Sequence, residues 1–323
     1  MKKLLLTILI FLCAGCSNPD STFILFLGDT SFGESYGNPY YEHSLKSFKQ
    51  ILADAELVVT NLETPLTDIE ESYLEEEKSI IHYSDPIKSL ETFLDNNMTV
   101  FSLANNHAMD FGTPGLQQTF DTGLTFFGAG FNEEDAKKPY IYKDILVLGA
   151  FEYRKKYDED YYFYADEYKD GVNAIKPEQV KDLRNKYPEK FIIVFPHWGD
   201  NYKKIHSLQE QAAHDYIDAG ADLILGHGAH MMQEIEQYKG KWIVYSLGNF
   251  VFNSKGRYKS MKADPFSLIA SLEGRNLKLY PIFTDNTITG FQNRFVTEEE
   301  FNKIKGDFET GKDQYGYFIK LAN

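Results

Sequence analysis

Imidazole, carboxylate and amide side chains are the groups that hold transition metals and move protons, and in this chain they recur just past apolar runs. Leu223-Ile224-Leu225 meets Gly226 and then delivers His227 and His230. Phe191-Ile192-Ile193-Val194-Phe195 exits through Pro196-His197-Trp198-Gly199, and Val100-Phe101-Ser102-Leu103 exits through Asn105-Asn106-His107. Phe23 to Leu27 runs into Gly28-Asp29, and Leu57-Val58-Val59 runs into Asn61-Leu62-Glu63. A buried imidazole needs a partner for each ring nitrogen, so imidazoles at strand ends are poor core material. Four of the eight histidines occupy such exits, the others being His43, His82, His206 and His214. Gathered in one place, these groups form a mixed oxygen and nitrogen ligand set. That set suits zinc, manganese or iron better than calcium or a thiolate-bound ion. The alternative is a polar pocket without a metal.

Such convergence requires a scaffold that presents strand ends along one edge, and the apolar runs supply it. Continuous apolar runs bounded by turn residues read as buried strands, whose carboxyl ends are where α/β sheets present chemistry. Helical spacing falls between them, over residues 44–54, 85–96, 115–123, 177–186, 207–218 and 297–308. Ser207 with Glu210 fits a capping box. Residues 140–151 read as a hairpin turning at Lys143-Asp144, and residues 267–283 as another turning at Glu273 to Asn276. Residues 68–79 are acidic and read as a solvated face, and residues 152–170, dense in Tyr, Asp, Glu and Lys, as an exposed insertion. With no internal repeat and no long linker, residues 22–323 read as a single domain.

A formal net charge of −15 argues against non-specific binding to nucleic acid and against docking of the folded surface on anionic lipid. Residues 1–16 read as a targeting segment: Lys2-Lys3, then an apolar Leu4 to Leu12 too short to span a bilayer, then Cys13-Ala14-Gly15-Cys16. Residues 17–21 form a polar linker. Small residues before a cysteine resemble a bacterial lipobox, with Cys13 where leucine is usual. The resemblance implies cleavage before Cys16, a lipid on its sulfur, and a place in the cell envelope outside the cytoplasm. An ordinary secretory signal is the alternative. Both cysteines of the chain lie here, which leaves no disulfide framework in the remainder.

The stretches GDTSF, NLETPLT, SLANNHAMDFG, FFGAG, PHWGDNY, DAGADLILGH and QEIEQYKGKWIVYSLGNFVF, in that order over residues 22–255, resemble the CapA capsule-synthesis proteins of poly-γ-glutamate biosynthesis. That family is similar to the calcineurin-like metallophosphoesterases. The resemblance implies a four-layer α-β-β-α sandwich of the α/β class, with one or two divalent metal ions at the strand ends. By position it implies Asp29, Glu63, Asn106, His197, His227 and His230 as ligands and His107 as acid or charge stabiliser. Asn61, Asn105, Trp198 and Asn249 are expected to contact substrate, and Lys241 and Arg257 are candidate contacts for an anionic one. Three positions depart from the pattern: Ser31 stands for a histidine, Gly228-Ala229 for His-Pro in GHHPH, and Asn201 for a glutamate.

Three functions fit these residues. One is a surface-anchored, metal-dependent hydrolase or transferase acting on an anionic or peptide-like envelope polymer. Another is a non-catalytic capsule-assembly or export component with membrane-protein partners, which keeps the scaffold and has lost chemistry at the departing positions. A lipid-anchored solute-binding protein is disfavoured, because it needs two lobes and a hinge.

Overall fold

Along the strand Phe23–Ser31 every residue after the first is buried, which explains its unbroken apolar run. Leu25 and Leu27 pack on one side with Ile51, Leu52, Phe93 and Leu116. Ile24 and Phe26 pack on the other with Ile193, Phe195, Leu223 and Leu225 of a second sheet. Successive side chains of a strand face opposite ways, so a strand apolar at every position is covered on both faces. The computed structural model describes residues 23–33 and 41–322, so the targeting segment, Cys16 and the linker lie outside the described residues.

Among these residues the larger sheet has ten strands. Phe23–Ser31, Leu57–Leu62, Val100–Ser102 and Thr125–Phe127 run parallel, in that order. On the other side of Phe23–Ser31, Phe266–Glu273 pairs antiparallel, followed by Asn276–Phe283 and Tyr317–Leu321. Asn249–Phe252 pairs parallel with the far end of Phe23–Ser31. In the six-stranded sheet, Ile145–Phe151, Phe191–His197, Leu223–Leu225 and Lys241–Val244 are mutually parallel, with antiparallel strands at both edges. Helices Lys49–Asp54, Pro86–Asp95 and Gly112–Asp121 cover the outside of the larger sheet. Pro177–Lys186 and Ser207–Asp218 cover the smaller one through Val180, Ala213, Tyr216 and Ile217. The result is the expected α-β-β-α sandwich.

Local departures have identifiable causes. Residues 44–54 form two short helices, Tyr41–Leu45 and Lys49–Asp54, around a 3-10 turn. The turn buries Phe48 against Phe250 and Phe295. The helix Ser207–Asp218 is capped by His206, whose Nδ1 accepts from the Gln209 amide at 3.2 Å, so Ser207 and Glu210 form no capping box. The segment 152–170 is only partly exposed: Tyr161, Phe163 and Tyr164 are buried, and Tyr164 stacks on Phe151. Within the acidic stretch 68–79, Leu74 and Lys78 are buried rather than solvated.

Candidate metal centre

Asp29 is aimed by an irregularity. The pairing of Phe23–Ser31 with both parallel neighbours shifts register around Asp29, and such bulges re-aim a side chain. A Cβ on Gly28 would lie 1.8 Å from the Gly248 carbonyl oxygen, so only glycine permits this close approach. Glu63 leaves the neighbouring strand end, and its amide is fixed by the Thr30 carbonyl at 2.9 Å. From the facing sheet, His197 ends its strand and bridges to His227, two residues past the end of the neighbouring Leu223–Leu225. His230 follows in the left-handed region at φ 60°, a conformation uncommon outside glycine that turns its ring back to the cluster.

Two groups of ligand atoms result: Asp29, His197 and His227 in one, Asp29, Glu63 and His230 in the other, all buried. In the first, Asp29 Oδ1 lies 3.3 Å from His227 Nδ1 and 3.8 Å from His197 Nδ1, and the two nitrogens are 3.1 Å apart. Ligands held at bonds of ~2.1 Å around one ion are separated by ~3.0–3.4 Å, so this triangle has nearly the edge lengths of a coordination shell. In the second, His230 Nδ1 is 3.4 Å from Asp29 Oδ2 and its Nε2 is 3.9 Å from Glu63 Oε1. His197 Nε2 and His107 Nε2 approach the same Glu63 oxygen to 3.8 and 4.0 Å. Both Glu63 carboxyl oxygens and His227 Nε2 are buried and, among the described residues, have no hydrogen-bond partner. A buried carboxylate left unpaired costs about 3–5 kcal/mol, so this donor set fits a bound cation.

The charges in this cluster respond to one another. Burial pushes the Glu63 carboxyl well above its usual range, and the Asp29 charge adds to this. Burial also opposes ionisation of Asp29, but hydrogen bonds and charge from His227, His230 and His197 outweigh it and hold the group below its usual value. For His230, burial is overcome by Glu63 and Asp29, which draw it up to about 9. His197 and His107 are held well below the usual imidazole value, first by burial and, for His107, next by the Lys78 ammonium.

The residues expected to contact substrate also have partners within the protein. Asn61 donates to Asp29 Oδ1 at 2.9 Å, and its own oxygen accepts from Asn105. Asn105 also donates to the Leu62 carbonyl and accepts from the amides of His107 and Ala108. Asn249 Oδ1 accepts from His230 Nδ1 at 2.9 Å, which fixes that ring. Trp198 packs against Tyr216 and Tyr245 and donates its indole N–H to the Tyr245 carbonyl. Lys241 is at the start of Lys241–Val244, the opposite end from the cluster, paired with Asp222 at 2.8 Å. Asn106 carries a buried Oδ1 with no partner, and Arg257 lines the cavity beside the cluster.

Sequence reasoning missed three residues around His107. Asp110 Oδ2 accepts from His107 Nδ1 at 2.7 Å, so that Nε2 faces Glu63. Lys78 pairs with Asp110, donates to the Asn106 carbonyl, and lies 3.2 Å from His107 Nδ1. The His82 ring stands edge-on to His107 with centroids 4.0 Å apart. Asp110, three residues after His107, was visible as a spacing; nothing in the run of glutamates marked Lys78 for burial. The departures have structural readings as well. Gly228 sits at φ 103°, donates its amide to Asp29 Oδ2 at 3.1 Å, and has Trp198 backbone 2.9 Å from where a Cβ would be. Ser31 is buried with its hydroxyl unpartnered.

Sandwich and cluster together define an α/β protein built around a buried carboxylate and imidazole centre at facing strand ends. The family described as "Bacterial capsule synthesis protein PGA_cap" matches residues 23–254, and the chain belongs to it. It is 33% identical over 244 residues to "PGA biosynthesis protein CapA" of Bacillus subtilis (strain 168), covering 71% of this chain and 62% of that protein. It is 32% identical over 243 residues to "Capsule biosynthesis protein CapA" of Bacillus anthracis, covering 68% of this chain and 55% of that protein. The chain thus spans a little over half the length of these relatives. A more distant likeness is to the NAD nucleotidase NadN of Haemophilus influenzae, with a TM-score of 0.46, 11% identity, and coverage of 94% of this chain and 54% of that one. Among the described residues no helix is long and apolar enough to cross a membrane.

Proposed function

We propose that this protein is a metal-dependent hydrolase or transferase of the cell envelope, acting on a linear polymer such as poly-γ-glutamate or another capsule component. The convergence of Asp29, Glu63, His197, His227 and His230, with buried oxygens and a ring nitrogen left unpaired, carries this reading. Asp29, His197 and His227 would hold one divalent ion, and Asp29, Glu63, His230 and the Asn106 amide oxygen a second. Zinc, manganese and iron suit this donor set. A divalent ion there supplies polarisation of a carbonyl or phosphoryl oxygen and a more acidic bound water.

The protein's own groups then do the following. Asp110 holds the proton on His107 Nδ1, which leaves Nε2 to accept or give a proton toward the Glu63 side. Asn61, Asn105 and Asn249 lock the ligand side chains, as outer partners of metal sites do. The choice of substrate class follows the Bacillus relatives, one a PGA biosynthesis protein and the other a capsule biosynthesis protein. The lipobox-like segment would tether the folded part to the membrane through a lipid on Cys16, beside membrane proteins of a capsule machine.

Elemental analysis of the purified chain, with a screen on phosphoesters and γ-glutamyl peptides, tests the reading. The wild type is expected to carry a divalent metal and hydrolyse one of these classes, and Asp29→Asn to lose both. A metal-free, inactive wild type that captures membrane proteins from detergent-solubilised envelope would instead support a non-catalytic assembly role. Gly228 and Ser31, which remove two imidazoles from the family pattern, favour that second reading.

A further inference from the structure

The hollow beside His107 and His230 differs in charge from the molecule around it. The chain has 48 Asp and Glu against 33 Lys and Arg. Yet a cavity of about 530 Å³ at this edge is lined, among the described residues, by Lys255 and Arg257 and by no carboxylate. Both cations follow the strand Asn249–Phe252, and among the described residues neither has a carboxylate in ion-pair range. The Arg257 guanidinium lies over the Tyr202 ring, 5.4 Å from its centroid. Tyr202 is itself fixed, its amide donating to the Ala229 carbonyl at 2.7 Å and its ring packing on Tyr258 and His230. The platform under Arg257 is therefore tied to the ligand loop.

A second hollow of about 300 Å³ shares Ser79, Ile80, His107 and Asn201 with the first. Its outer wall carries Lys156, whose ammonium lies 5.0 Å from the Tyr161 ring centroid. Among the described residues Glu77 is the single carboxylate lining that hollow. The two hollows form one groove that passes His107, with exposed cations at either end. A small anion would need one such end only; cations on both sides match a charge that repeats along a chain. Arginine on an aromatic ring binds carboxylate or phosphate oxygens through paired N–H groups in a restricted orientation.

We infer that this groove binds an internal stretch of a linear polyanion, with its anionic groups on Arg257 and Lys255 at one side of His107 and on Lys156 at the other. The inference rests on the proposed reading for where chemistry occurs. It adds that the linkage presented to the centre lies within the polymer rather than at its end.

Binding of poly-γ-glutamate, inorganic polyphosphate, neutral dextran and monomeric glutamate to the purified full chain tests it. One polyanion is expected to bind, and the stronger of the two identifies the anionic group; dextran and monomeric glutamate are expected to bind far more weakly. Arg257→Ala and Lys156→Ala are each expected to weaken polyanion binding about tenfold, the loss of one charged contact of about 1.4 kcal/mol, while Lys303→Ala leaves it unchanged. Polyanion binding that is absent, insensitive to both variants, or sensitive at one end only overturns the groove. Asp29→Asn keeps the two readings apart: loss of metal with polyanion binding retained supports both. A groove that fails beside normal metal content overturns this inference alone.

Discussion

Among the described residues, histidine and carboxylate ligand atoms gather within 4.8 Å of one another in three groups, two sharing Asp29 in the interior and one at the surface, and the two places have little else in common. At the surface, Glu210 and His214 of Ser207–Asp218 face Glu236 of the strand Ile235–Tyr238. There His214 Nε2 bonds Glu236 Oε1 at 2.9 Å, the Tyr245 hydroxyl donates to Glu236 Oε2 at 2.7 Å, and Tyr238 stacks on the imidazole. His214 and Glu236 are partnered by the protein, and all three groups are reached by water. In the cluster at the strand ends, Asp29, Glu63 and His227 are fully buried, and among the described residues the Glu63 carboxyl has no hydrogen-bond partner. Nearness of ligand-type atoms is cheap at a surface, where water solvates whatever stays unpaired. Only in the interior does an unspent lone pair call for an occupant.

The sharpest way to break this contrast is to remove one ligand from each cluster. Asp29→Asn is expected to lower metal affinity by roughly hundredfold or more, at least the loss seen for outer partners of metal sites, while His214→Ala leaves metal content unchanged by elemental analysis. Equal losses in both variants would end the distinction. Next in size is Lys78→Met, which strands the Asp110 carboxyl in the interior; urea unfolding should report a loss of about 3–5 kcal/mol. A double variant that also carries Asp110→Asn should recover much of it, because the two sites are coupled. The surface pair His214 and Glu236 should be worth less than about 1 kcal/mol by the same measurement.

The smallest effect comes from a half-buried pair away from both clusters. The Arg294 guanidinium, opposed by partial burial and helped by the Thr297 amide, draws Glu300 from 4.5 down to about 2. A depressed carboxylate stabilises the fold above its unfolded value and loses that contribution as pH falls from about 4.5 toward 2. Since the pair is partly open to water, which screens it, the gap between wild type and Arg294→Gln should be a few tenths of a kcal/mol at pH 7 and close on acidification.

Much of the scaffold was legible because each buried strand is a short apolar run with its own punctuation. Val100 to Leu103 ending at Asn105, or Phe191 to Phe195 ending at Pro196, announce both an element and its exit. The hairpin turn at Lys143 was likewise readable, and the structure places that residue at φ 51°. Lys78, Tyr161 and Phe163 were not readable, because their burial depends on Asp110 and Tyr157, which lie far from them in the chain or gain their places only on packing. The asparagines mark a similar limit. An amide beside a ligand looks the same in sequence whether it meets substrate or, as Asn105 does, spends every atom on Asn61, Leu62 and His107.

By itself the sequence determined which groups stand at strand ends, since hydrophobic periodicity and turn residues act locally and set where each strand stops. Tertiary structure alone decided that Asp29 and Glu63 of one sheet face His197, His227 and His230 across the sandwich, and that Lys78 closes behind His107. Those pairings join residues tens to hundreds of positions apart. Their energies depend on distance and on exclusion of water, and neither exists until the two sheets have packed.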